Sequence, residues 1–199
     1  MKYIQEALKD PIFWVVVTVA VFALWGNAHA ADIVLQPCGH DCARVSVRGQ
    51  INPGDSQIFF ALVRDTKTAT VDLESKGGDA KAGFAIGEII HDRGFDTNVP
   101  AGKFCASSCA NIWLAGHRKT LGAGASLLWH SAYVDNDKGH ADGSADALTG
   151  MYLAHMGYGY DTAQRLIGHD PNVGYAEMMI EGELVTKAVS WNGTEWSAK

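Results

Sequence analysis

Two serines between two cysteines, Cys105-Ala106-Ser107-Ser108-Cys109, follow a glycine pair, Gly77-Gly78, and precede the segment Leu127-Leu128-Trp129-His130. These are the residue types of acyl-transfer chemistry. A serine among small residues at the start of an apolar helix can be a nucleophile. A glycine turn can present backbone N–H groups to an oxyanion, and a histidine ending an apolar strand can take the serine's proton. Each also has a structural use, since serine caps helices, glycines serve tight turns, and seven other histidines are present. Ser108 competes with Ser107 for the role of nucleophile, and spacing alone does not separate them. Order along the chain is what links the three pieces.

Elements must position these groups. Arg44 to Ile51 alternates and is β-branched, the pattern of a strand. After Pro53-Gly54, Asp55 can cap a helix with Ile58, Phe59, Leu62 and Val63 at helical spacing. Ala69 to Leu73 is a strand that runs into the glycine pair, and Asp79 then caps a helix reaching about Arg93. Phe84, Ile86, Ile89 and Ile90 face inward on it, and Gly94 ends it. Strands come next at Thr97 to Pro100, Arg118 to Leu121 and Ser126 to His130, with a short helix from Ser107 to Ala115. Beyond a polar loop, Asp135 to Asp146, the pattern predicts helices near Ala147–Met156, Thr162–Ile167 and Tyr175–Gly182, then a strand from Glu183 to Val189. Repeated strand, glycine turn and helix indicate an α/β protein.

The amino-terminal thirty residues read as a targeting segment. The apolar run Ile12 to Trp25 ends in Ala28-His29-Ala30, the small-x-small pattern of a signal-peptidase site, and cleavage would leave a chain starting at Ala31. The alternative is an uncleaved membrane anchor, since Ile12 to Ala31 is just long enough to cross a bilayer of roughly 30 Å. Either places the working domain, residues 31–199, outside the cytoplasm: periplasmic or secreted if cut, membrane-anchored if not. The formal charge of −6 belongs wholly to this domain, because Lys2 and Lys9 cancel Glu6 and Asp10. An acidic chain without a basic run argues against nucleic acid as a partner. Four cysteines in an oxidising compartment predict two disulfides; three connectivities are open, and the local pairing Cys38–Cys42 with Cys105–Cys109 is the preferred one. A four-thiolate metal site is the competing use of the two Cys-x3-Cys spacings. Asp135 to Asp142 has the look of a calcium loop but lacks the terminal glutamate, and reads as a solvated flap.

The run Leu73-Glu-Ser-Lys-Gly-Gly-Asp79, then Cys105-Ala-Ser-Ser-Cys-Ala110 with Trp113-Leu-Ala-Gly116, then Leu128-Trp-His130, resembles the proteolytic subunit of Clp protease. More closely it is similar to exported Clp-protease-like proteins of the ClpP/crotonase superfamily, over roughly Val45 to Val189. The resemblance implies a single ClpP/crotonase-like spiral of β-β-α units. It places the nucleophile on Ser107, the base on His130, and the oxyanion donors on the N–H groups of Ser108 and of Gly78, with Gly77 adjacent. Counting back from Glu177 in the last expected helix places the third triad member on Asp170, with Asp161 as its competitor. Glu74 and Lys76 replace the family's Asn and Pro, and the flanking cysteines are absent from the protease subunit.

The expectation is an exported, ATP-independent serine peptidase using no cofactor or metal, acting on peptide or protein substrates and self-associating as its relatives do. A membrane enters only through an uncut leader. Two other functions fit the same residues: a binding or scaffold protein that has lost catalysis, and a crotonase-type acyl-CoA enzyme.

Overall fold

Alternation is what builds the sheet that carries the glycine turn. In β2 (Cys42–Arg48), Ala43, Val45 and Val47 point into the core while the residues between them face outward. The computed structural model describes residues 30–39, 41–134, 137–167, 173–180, 183–191 and 196–198. Strand β1 (Asp32–Gly39) pairs antiparallel with β2, and the Cys38–Cys42 disulfide bridges their turn, with Cα atoms 5.3 Å apart. Helix α1 (Asp55–Val63) then leads to β3 (Thr68–Glu74), and α2 (Ala80–Asp92) connects the glycine pair to β4 (Asp96–Val99). Next come β5 (Phe104–Ala106), α3 (Ser108–Leu114), β6 (Lys119–Leu121) and β7 (Ser126–His130).

The carboxyl-terminal third holds β8 (Tyr133–Val134), β9 (Asp137–Ala141), α4 (Gly143–His155) and α5 (Tyr160–Ile167). It closes with β10 (Val173–Ile180), β11 (Glu183–Trp191) and β12 (Trp196–Ala198). One sheet has the order β1-β2-β3-β4-β6, parallel from β2 onward. The other has the order β12-β11-β10-β7-β5, antiparallel except where β5 meets β7. A bridge between Ser75 and Cys105 joins the two sheets beside the glycine turn. Phe59, Ile86, Ile90, Ile112 and Leu127 are fully buried in the shared core, each such side chain stabilising the fold by about 1.5–3 kcal/mol. This is the expected α/β architecture of β-β-α units.

Four local expectations need correction. Asp55 does not cap α1; Gly54, at φ 100°, occupies that position, and the Asp55 carboxylate accepts N–H groups from Asn52 and Ala31 instead. Phe59 and Val63 are buried on α1, but Ile58 and Leu62 are exposed, because the helix lies on the surface with one narrow face inward. The span expected to be a polar loop contains β9, which pairs with β8 just before it, and the first turn of α4, whose N-cap Asp142 accepts from the amides of Ser144 and Ala145. Most consequential, the helix expected near Tyr175–Gly182 is strand β10. Buried β7 needs a hydrogen-bonding neighbour on each side; β5 supplies one and β10 the other, in the register Tyr175 opposite Trp129 and Ala176 opposite Leu128. That pairing overrides the helix preference of Ala, Glu and Met.

Candidate active site

The chain leaves β3 into a turn that only glycine can form. The Ser75 N–H donates to the Phe104 carbonyl and the Ala106 N–H donates back to Ser75, so β5 runs beside the exit of β3. Ile51 holds the turn from the other side, donating its N–H to Gly77 and accepting from Asp79. Gly77 has φ 90°, and a Cβ there would lie 2.6 Å from the Ala106 carbonyl oxygen and 2.7 Å from the Ser107 Cβ. Gly78 has φ 145°, and its Cβ would meet the Ile51 carbonyl oxygen at 2.1 Å. The glycine turn therefore packs directly against the serine. The Gly77 N–H is taken by the Ser75 hydroxyl at 2.9 Å. Among the described residues no acceptor takes the N–H of Gly78 or of Ser108. Asp79 caps α2 as expected, accepting the Ala82 N–H at 2.7 Å.

Ser107 stands at φ 56°, ψ −127°, a conformation that costs a residue with a Cβ on the order of 1–3 kcal/mol. Its own backbone secures it there. The N–H donates to Leu128 of β7 at 2.8 Å, and the carbonyl accepts the Asn111 N–H at 3.1 Å. The Cys105–Cys109 disulfide closes over the same turn, with Cα atoms 5.3 Å apart. The Ser107 side chain makes no capping bond although it occupies the N-cap position of α3. Ser108 differs. It is 2 % exposed, its hydroxyl has no partner among the described residues, and it packs against Gly83 of α2, where a Cβ would come within 2.8 Å of it. The close packing at Gly83 orients Ser108 inward and leaves Ser107 the more accessible hydroxyl.

β7 ends at His130, and the two residues after it are firmly held. The Ser131 hydroxyl donates to the Ile167 carbonyl at 2.6 Å, and the Ala132 N–H donates to Asp146 at 2.8 Å. His130 Nδ1 lies 2.7 Å from the Ser131 carbonyl oxygen, and its ring stacks on Tyr133 with centroids 5.5 Å apart. A carbonyl can only accept, so in the neutral imidazole this contact puts the proton on Nδ1 and the lone pair on Nε2. Burial raises the Tyr133 phenol above its ordinary range. Burial likewise raises the Asp146 carboxyl, against the Ala132 N–H that lowers it.

Ser107 and His130 line one small cleft of about 30 Å³, together with Asn111, Trp129, Thr149 and Leu166. Among the described residues lining it there is no carboxylate. Asp161 is exposed on the first turn of α5, and Asp170 lies outside the described residues. The count that led to Asp170 began from a helix at Glu177, which is in β10. Glu177 itself is buried; burial raises its carboxyl, and Arg165, 3.8 Å away, opposes the rise. A larger groove of about 660 Å³ lies between α4 and α5, lined by Asp146, Gly150, Tyr158, Ala163 and Ile167 among others.

Sequence reasoning missed Ser75 and Ser131, which hold the glycine turn and the histidine loop by their hydroxyl groups. It also missed Asn111 and Trp129, whose buried Oδ1 and Nε1 have no partner among the described residues. Only their proximity to the glycine pair, Ser107 and His130 could have signalled them. The cysteines form the two predicted disulfides, so the four-thiolate reading falls. Among the described residues no group of three His, Cys, Asp or Glu side chains gathers to hold a metal ion, and no helix is long and apolar enough to cross a membrane. The apolar run Ile12 to Trp25 lies outside those residues.

No family model and no curated protein matches the chain. Among solved structures it is similar to 1510-N membrane-bound stomatin-specific protease. A lysine-to-alanine mutant of that protease in complex with a substrate peptide superposes with a TM-score of 0.50 at 18 % identity, covering 61 % of this chain and 63 % of that one. A serine-to-alanine mutant gives 0.49 and 18 %, covering 61 % and 67 %. The chain thus spans about two thirds of these neighbours. The likeness is one of fold, a ClpP-like α/β fold, and does not single out the Clp proteolytic subunit.

Proposed function

We propose that the protein is a serine peptidase that works without ATP, with Ser107 as nucleophile and His130 as general base. The observation that carries this reading is the Ser107 turn. A strained, uncapped serine shares a cleft with a histidine whose Nδ1 is already engaged by a carbonyl. Ser107 Oγ attacks the acyl carbon and His130 Nε2 takes its proton, then gives it to the leaving amine. Water, deprotonated by the same nitrogen, next hydrolyses the acyl-enzyme and restores the serine. The N–H groups of Gly78 and Ser108 receive the oxyanion, a donor of this kind being worth about 2.7–4 kcal/mol in the transition state. At seven residues α3 is short, so the two amides rather than a helix dipole are given this role. The Ser131 carbonyl positions the imidazole, and Asp170 stays the sequence's candidate for third member of the triad.

A peptide or protein substrate is supported by the peptide-bound neighbour of the same fold. Two disulfides fit an oxidising compartment, and we place the domain, residues 31–199, in the periplasm or outside the cell after removal of residues 1–30. Exposed Ile58, Phe60 and Leu62 on α1 support self-association through that face. The test is digestion of an unfolded protein without nucleotide. Cleavage that disappears in His130→Ala and in Ser107→Ala is expected; cleavage retained in either variant contradicts the mechanism. A non-catalytic binding protein of this fold is the second reading, favoured by the lack of a carboxylate among the described cleft residues. It predicts tight peptide binding with no product from the wild type.

A further inference from the structure

Asp55 is a buried carboxylate with no cation beside it among the described residues. It is 1 % exposed, and its hydrogen bonds come from two backbone amides, Asn52 at 2.7 Å and Ala31 at 3.2 Å, both to Oδ2. Among the described residues it enters no ion pair. The guanidinium that reaches α1 from the end of α2, Arg93, is bound at the opposite end, to the carbonyls of Val63 and Arg64. A buried carboxylate ordinarily requires a positive partner as well as hydrogen bonds.

The residue that reaches Asp55 is the one that would begin a processed chain. Ala31 is buried and belongs to the core cluster, whereas Ala30 is exposed. The change from exposed Ala30 to buried Ala31 comes immediately after the small-x-small sequence Ala28-His29-Ala30. We propose that Ala30–Ala31 is the processing site of this protein and that the α-ammonium released on Ala31 is the counter-ion of Asp55.

The chemistry balances with water alone. A signal peptidase adds water across the Ala30–Ala31 amide while the chain is still extended during export, leaving a carboxylate on Ala30 and an ammonium on Ala31. Folding then buries Ala31 and brings its nitrogen to Asp55. In the uncut chain Ala31 offers the carboxylate only a neutral N–H, beside that of Asn52. The cut chain offers a charge-assisted bond, and exchanging neutral for charged donors shifts a folding equilibrium by about tenfold. Processing thereby finishes the fold at the base of α1. The proposal rests on the leader being cleaved and is independent of any catalytic activity.

Two measurements on the full chain, expressed in an export-competent bacterium, test it. The mass of the purified protein is expected to place its first residue at Ala31; a retained Met1 or a different terminus overturns the processing site. Acylation of the α-amine near pH 7 by an acetyl succinimidyl ester, mapped by mass spectrometry, is then monitored in native protein and in urea. Exposed Lys76, which enters no ion pair among the described residues, serves as internal standard. Native Ala31 is expected to react at least tenfold more slowly than the unfolded chain, and Asp55→Asn to remove most of that protection. If Asp55→Asn fails to fold, the native-to-urea ratio of the wild type and the Asp55→Glu variant decide. Equal native and unfolded rates, after correction by Lys76, overturn the ion pair while leaving the peptidase proposal untouched.

Discussion

Gly77→Ala is the substitution that most directly probes the contact between the glycine turn and the serine. The new Cβ would sit 2.6 Å from the Ala106 carbonyl oxygen and 2.7 Å from the Ser107 Cβ, with the Ser108 nitrogen at 3.1 Å. The first two are roughly 0.7 Å or more short of ordinary contact, and none belongs to the free end of a flexible side chain. Overpacking of this kind costs about 1–3 kcal/mol, and holding a Cβ at φ 90° adds about 1–2 kcal/mol. A loss of about 2–5 kcal/mol corresponds to a fall in Tm of about 5–15 °C for a domain of this size. Relief comes by pushing the serine turn away from the glycines, and misplacing a reacting group by about 1 Å can cost about 100-fold in rate. The assay pairs urea midpoints with the second-order rate of fluorophosphonate labelling. Gly143→Ala, in open space at the start of α4, is the control and is expected to be neutral or stabilising by up to ~1 kcal/mol. A Gly77→Ala protein with wild-type midpoint and labelling rate would refute the packing argument.

Opening the Cys105–Cys109 bridge, as the double alanine variant, removes a four-residue separation whose closure is worth about 2 kcal/mol in the chain-entropy model. It is also expected to slow labelling at least tenfold by loosening the Ser107 turn, and an unchanged rate in a folded double variant would exclude a clamping role. Asp142→Ala should cost about 1 kcal/mol through loss of the α4 cap, read from the urea midpoint; no change would contradict the capping geometry. For Glu177, burial raises the folded-state carboxyl above its ordinary value of 4.5, so the protonated form is preferred by the native state. Its stabilising contribution is full below about pH 4.5 and is lost as pH rises through the folded value. Urea midpoints of Glu177→Gln should therefore gain on the wild type between pH 4 and 7, and parallel pH profiles would show that burial does not govern this group.

The amino-terminal half of the fold was legible because its signals are local and agree with one another. Asp79 precedes an amphipathic run and does cap α2, and the apolar segment ending in His130 is β7 to the residue. Order and glycine chemistry were enough to bring Gly77, Gly78 and Ser107 together. What escaped was set by long-range pairing. Nothing within Val173–Ile180 says that buried β7 lacks a neighbour, so Ala176, Glu177 and Met178 read as helix formers. Asp55 misled in a similar way: a carboxylate at a helix start is normally a cap, but here Gly54 takes that position and the segment at Ala31 draws Asp55 inward. The choice between Ser107 and Ser108 also required three dimensions, since it rests on Gly83, twenty-four positions before Ser107, packing against one of them.

The central claim is that Ser107 is an activated nucleophile, and activity-based labelling with the modified residue mapped tests it most directly. Purified protein treated with a fluorophosphonate should carry the adduct on Ser107. Labelling should vanish in Ser107→Ala, persist in Ser108→Ala, and fall sharply in His130→Ala. An adduct mapped to any other residue, or wild-type protein that stays unlabelled with both disulfides intact and after their reduction, would contradict the account.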